Sequence, residues 1–122
     1  MKVTKRETMH ELSYMARFSN MALEAAEKNH AKKVRAVTIR VGQMTGLVPE
    51  YLQHYYPQTV AGTMLEGSRL VIREEPVLVR CACGNVYTPD RGNGYACPVC
   101  GSAAGTLISG RQMDLVSVEI EE

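Results

Sequence analysis

The chain has 122 residues, with 14 Lys and Arg against 13 Asp and Glu, no tryptophan and one phenylalanine. That length holds one modest domain, or a small core plus a metal-stapled module, and no apolar run is long enough to cross a membrane. Near-neutral charge argues against broad nucleic-acid binding, which needs a basic face.

Residues 1–8, MKVTKRET, are polar and lack periodicity, so they read as a disordered extension. The charged start has no apolar signal segment, which places the chain in the cytoplasm, where thiols stay reduced. From Met9 to about Asn29 the pattern is helical: Leu12, Met15, Phe18, Ala22 and Ala26 recur at three- and four-residue steps. Thr8 and Glu11 have capping-box spacing, which would make Thr8 the cap and His10 an exposed first-turn residue. His30 follows the helix and reads as a cap or a solvated side chain. Residues 34–42 alternate as a strand, with Val37, Ile39 and Val41 on one side.

Pro49 suits the first turn of a second helix, with Leu52, Tyr55, Tyr56 and Val60 as its buried face. Pro57 should kink or end it, giving a short or bent helix between about Pro49 and Met64. His54 reads as a surface histidine of that helix. Residues 69–74 form a strand interrupted by Pro76, and residues 77–80 lead into the first cysteine pair. Beyond the second pair lie Gly105, TLIS and Gly110. The closing MDLVSVEIEE sets Val116, Val118 and Ile120 against Ser117, Glu119 and Glu121, a half-buried strand. It lies past the cysteines and should return to the first sheet.

The four cysteines fall in two tight pairs, Cys81 and Cys83 in C-A-C-G, then Cys97 and Cys100 in C-P-V-C-G. Two thiolate pairs joined by a loop can wrap one tetrahedral metal, usually zinc. Two disulfides, a redox C-x-x-C and a rubredoxin-like iron cage are the other readings. The missing signal segment opposes the first, and the short C-A-C opposes the other two. The expected fold is α+β: two helices on one face of a small antiparallel or mixed sheet, with an inserted zinc-ribbon-like module carrying the four cysteines. Residues 9–76 with 112–122 would form the first unit and residues 77–111 the second. A zinc ribbon alone could instead bind nucleic acid or protein, with Tyr87 and Tyr95 stacking on bases and Arg80 and Arg91 meeting phosphate. Asp90 and the lack of a basic stripe speak against the nucleic-acid form.

M-H-E-L-S at residues 9–13, V-G-Q after the first strand, EGSRLVI, C-P-V-C-G-S and the closing SGRQMDLVSVEIE together resemble the HypA/HybF family of nickel-incorporation accessory proteins. The resemblance covers residues 9–122. It implies a structural zinc on the four cysteines and a Ni(II) site at the N-terminal motif. His10 would be the main side-chain ligand, with Met9 and Glu11 contributing chiefly through backbone nitrogen. Nitrogen ligands in a square plane suit Ni(II), and the imidazole must be neutral to bind. The resemblance further implies a non-catalytic metallochaperone, a monomer or homodimer. Its partners would be the nickel-handling GTPase HypB and the [NiFe] hydrogenase large-subunit precursor, with no nucleic acid or membrane partner. Family members begin at the methionine of M-H-E and this chain begins eight residues earlier, so translation from Met9 is the expectation.

Overall fold

The computed structural model describes residues 6–122, with side chains from Glu11 onward. In chain order the elements are α1 (Arg6–Lys28), β1 (Lys33–Gly42), a 3-10 turn (Gln43–Thr45), α2 (Pro49–Val60), β2 (Arg69–Glu75), β3 (Leu78–Cys81), β4 (Val86–Tyr87), a second 3-10 turn (Arg91–Asn93), β5 (Gly105–Ser109) and β6 (Met113–Glu121). Among the described residues no helix is long and apolar enough to cross a membrane.

α1 buries Glu11, Met15, Phe18, Ala22 and Ala26, a run of four- and three-residue steps along one face. Hydropathy alone puts Leu12 on that face, but Leu12 is 37% exposed and Glu11 is fully buried in its stead. The cause is a tertiary hydrogen bond. Val48, the N-cap of α2, has no side-chain capping partner, and its backbone N–H donates to Glu11 Oε2 at 2.8 Å. The positive end of the α2 dipole favours a carboxylate there. The capping box expected at Thr8 and Glu11 is therefore not formed. The helix already begins at Arg6, and the Glu11 carboxylate is turned toward α2. Of the extension expected at 1–8, residues 1–5 lie outside the described residues, and 6–8 belong to α1.

The end of α1 is a Schellman turn. Ala31 N–H donates to Ala26 O at 3.0 Å and His30 N–H to Glu27 O at 3.1 Å. His30 holds the left-handed position with φ of 54°, and buried Ala31 packs with Ala26 in one core. His30 thus acts through its backbone, at a position glycine would fill more cheaply.

α2 presents Leu52, Tyr56 and Val60 to the core, while Tyr55 is half-buried and His54 is exposed with its ring edge-on to Tyr55. Pro57 lies inside the helix and does not end it at that point. The helix continues to Val60, and the chain then turns through Thr63 N–H to Val60 O. α2 carries the chain across so that β2 lies parallel to β1, the geometry of a βαβ crossover.

β1 is the central strand of a mixed sheet ordered β2-β1-β6, with β6 antiparallel to it. Val37, Ile39 and Val41 face the helices at 2% exposure or less. In β6 the simple alternation breaks. Thr38 pairs with Ser117 but Ile39 with Leu115, so Val116 is an extra, bulged residue and is 39% exposed. The residues that join the core from β6 are Met113, Leu115, Val118 and Ile120. On the opposite sheet face Arg40 and Asp114 form a two-point ion pair at 3.0 and 2.6 Å.

The second sheet is ordered β4-β3-β5 and is antiparallel throughout. Chain passes from one sheet to the other after β2 and returns before β6. At the return, Gly42 N–H donates to Gln112 O at 2.7 Å and Met44 N–H to Gly110 O at 2.8 Å. A Cβ on Gly42 would overlap Gly110 O, inside any permissible contact.

This backbone makes two substitutions informative. His30→Gly should raise stability by about 0.5–1 kcal/mol, since the left-handed residue loses its Cβ penalty and glycine's extra chain entropy offsets only part of it. It would appear as a higher denaturant midpoint at unchanged slope. Gly42→Ala should cost about 1–3 kcal/mol by overpacking alone, because the Gly42 φ of −76° suits alanine. Thermal unfolding of the two variants should move in opposite directions.

Candidate metal centre

Two knuckles bring the cysteines together. In the first, Cys81 N–H donates to Asn85 O at 2.8 Å and Gly84 N–H to Cys81 O at 2.9 Å. In the second, Cys97 N–H donates to Ser102 O at 2.8 Å and Gly101 N–H to Cys97 O at 2.9 Å. The same two hydrogen bonds close both turns, so C-A-C-G is the C-P-V-C-G knuckle with one residue fewer. Gly84 and Gly101 take φ of 92° and 77°, where an L side chain would strain the turn.

All four Sγ atoms lie within 4.8 Å of one another. Cys81 and Cys100 are 3.2 Å apart, and Cys83 and Cys97 are 3.8 Å apart. Sulfurs bound tetrahedrally at about 2.3 Å from zinc would be separated by about 3.8 Å, so the tetrad has the right dimensions for such a metal. All four thiols are free, which sets aside the disulfide reading. Asn85 Nδ2 reaches Cys97 Sγ at 3.6 Å and supports that ligand from behind. The tetrad can therefore hold a structural metal.

Crowding of the four sulfurs splits their acidities, lowering one thiol and raising two others. Burial works against a charge on Cys97, but the N–H groups of Cys100 and Val99, the Asn85 amide and Cys83 outweigh it and pull the thiol down to about 6. Ser102 N–H favours the Cys100 thiolate. Cys81, burial, Cys83 and Cys97 oppose it more strongly and push that thiol up to about 12. The Asn85 N–H likewise favours the Cys83 thiolate, yet burial, Cys81 and Cys97 outweigh it and leave the thiol raised.

Around the tetrad, Tyr87 is 8% exposed and its hydroxyl donates to Tyr95 O at 3.3 Å. It is a core residue of the metal module and cannot stack on a base as the nucleic-acid reading requires. Tyr95 is exposed, with φ of 61°, and Asp90 accepts from Gly92 N–H at 3.1 Å to cap the second 3-10 turn. The sequence-derived nickel residues are not described equally. The side chains of Met9 and His10 lie outside the described residues, while Glu11 is buried against Val48. That buried carboxylate was not legible as such, because an acidic residue beside Leu12 reads as the solvated one.

Metal uptake at neutral pH should expel protons, chiefly from Cys100 and Cys83, whose folded values lie above the ordinary thiol range. Affinity should accordingly rise with pH and fall on acidification. Proton release in weakly buffered solution during zinc addition to chelator-stripped protein is the measurement. Stripping the metal should also unfold β3, β4 and β5 and leave the α1–β1 core folded, as read by amide exchange.

A sequence model described as "Hydrogenase/urease nickel incorporation, metallochaperone, hypA" matches residues 9–120. The hydrogenase maturation factor HypA of Caldanaerobacter subterraneus is 38% identical over 117 residues, covering 93% of this chain and 100% of that protein. The corresponding protein of Methanocella arvoryzae is 37% identical over 114 residues, covering 93% and 99%. The solution structure of the Ni metallochaperone HypA from Helicobacter pylori superposes with a TM-score of 0.61 at 23% identity, covering 90% of this chain and 96% of that one. A second HypA solution structure gives 0.69 at 24%, covering 93% and 97%. These two likenesses show a common fold; the family follows from the sequence matches. The chain belongs to the HypA/HybF family, the non-catalytic nickel metallochaperones of hydrogenase maturation.

Proposed function

We propose that this chain binds Ni(II) at Met9-His10-Glu11 and delivers it to the [NiFe] hydrogenase large-subunit precursor, working with the nickel-handling GTPase HypB in the cytoplasm. The observation that carries this reading is where the family match begins: at Met9, the first residue of M-H-E. His10 supplies the imidazole, and backbone nitrogens of Met9 and Glu11 complete most of a square plane. Glu11 is suited to a backbone role because its side chain is already committed to Val48 N–H. That contact also fixes the chain immediately after His10. A set of ligands in the opening turns of a helix can be released as those turns fray, which suits transfer better than storage.

Zinc at Cys81, Cys83, Cys97 and Cys100 holds the second module together and stays in place while nickel comes and goes. The thiolate tetrad favours zinc over the harder nitrogen-preferring ion, so the two sites sort the two metals by ligand type.

A nickel titration beside His10→Ala tests the reading. A single nickel equivalent should bind the parent chain and be lost in the variant, with zinc content unchanged. Nickel affinity should fall as pH drops through about 6.5, where imidazole takes up its proton. Histidine-independent nickel binding, or nickel that displaces zinc from the cysteines, would overturn it.

A further inference from the structure

Each knuckle contributes one buried and one exposed cysteine. Cys81 and Cys97 are 2% and 1% exposed, whereas Cys83 and Cys100 are exposed residues. The close sulfur neighbours run across the knuckles: Cys100 lies 3.2 Å from Cys81, and Cys83 lies 3.8 Å from Cys97. Every exposed cysteine therefore has a buried cysteine of the other knuckle beside its sulfur. An accessible thiolate next to a sheltered one is the arrangement in which oxidation of the first is resolved by the second.

The two knuckles differ in protection. Cys97 Sγ accepts from Asn85 Nδ2 at 3.6 Å. Cys100 combines exposure with the shortest distance to a partner sulfur.

We propose that Cys100 is a site of oxidation by hydrogen peroxide and that Cys81 resolves it, opening the metal tetrad. The Cys100 thiolate attacks one peroxide oxygen; the O–O bond breaks, giving Cys100 sulfenic acid and hydroxide. The Cys81 thiolate then attacks the Cys100 sulfur, the S–O bond breaks, and a second hydroxide leaves. Two sulfurs have given up two electrons in all, the peroxide has accepted them, and two protons from solvent turn the hydroxides into water. With Cys81 and Cys100 joined, only Cys83 and Cys97 would remain to hold a zinc ion, too few ligands to retain it. Because β3 ends at Cys81, the new bond ties that strand to the second knuckle after the metal has gone.

This inference rests on the metal reading of the tetrad, so the test begins with metal analysis of the purified full chain. Hydrogen peroxide is then added stepwise to the zinc-loaded protein. A chromophoric chelator reads released zinc, and quenching with N-ethylmaleimide precedes peptide mapping. The expected result is about one zinc released per peroxide reduced, a Cys81–Cys100 cross-linked peptide, and Cys83 and Cys97 recovered as alkylated thiols. A thiol reductant with added zinc should restore the starting state. Zinc retained under excess peroxide would overturn the proposal. So would a cross-link within one knuckle, or Cys100 sulfinic acid without a cross-link. A chain that purifies without metal overturns the metal reading and this proposal together, whereas a zinc-loaded chain inert to peroxide overturns only the latter.

Discussion

The backbone crossing at Gly42 and Gly110 is the constraint on which the rest of the molecule depends. The chain leaves the first sheet after β2, builds the cysteine module, and must re-enter to lay β6 against β1. Re-entry happens where two backbones touch, with Gly42 so close to Gly110 O that no side-chain carbon fits between them. Hydrogen bonds from Gly42 N–H to Gln112 O and from Met44 N–H to Gly110 O fix the register in which β6 begins. Gln112 Oε1 also accepts from Gly110 N–H at 2.7 Å, bracing the strap from its own side. A shift of one residue here would exchange the core and solvent faces of β6.

The two halves are stabilised by different means. The helix-backed sheet has Phe18, Met15, Ile39 and Leu52 fully or nearly fully buried, a core of ordinary kind. The cysteine module has Cys81, Cys97 and Tyr87 as its buried cluster, with Val79 packed against them. So small an apolar core cannot hold three short strands by itself, and an ion on the four sulfurs would supply the missing folding energy. If nickel is held at the proposed Met9-His10-Glu11 site, the structural metal and the cargo would sit on chemically unlike ligands, thiolates for one and nitrogens for the other.

Both helices, the strand order in the chain, the return of the last strand to the first sheet and the tetrad itself are legible in periodicity and spacing. The departures share a cause: local pattern is overridden by a distant contact. Leu12 reads as core and Glu11 as the capping partner of Thr8 until α2 brings Val48 N–H to the carboxylate, 37 residues along the chain. Val116 reads as an inward residue until the bulge against Thr38 and Ile39 turns it out. Tyr87 reads as an exposed aromatic until the knuckles close over it. Pro57 should kink or end a helix; packing of Leu52, Tyr56 and Val60 carries α2 three residues past it, within the short or bent helix expected between Pro49 and Met64. The shortened C-A-C knuckle is the reverse case. Its oddity suggests altered geometry, and the turn closes with the hydrogen bonds of its longer counterpart.

The position of β6 bears on how the molecule assembles. β1 is made early, and its parallel neighbour β2 comes after one helix, but its antiparallel neighbour is separated from it by the whole metal module, as in the pairing of Val37 with Val118. During synthesis one edge of the central strand stays unpaired until the cysteines have emerged. High sequence separation of this kind slows folding, because loop closure precedes the reward of the contact. A metal that gathers the intervening segment shortens the effective loop and brings Gly110 back toward Gly42. Metal supply would then govern the rate at which the helix-backed sheet becomes complete, and an unfilled tetrad would leave an adhesive strand edge exposed.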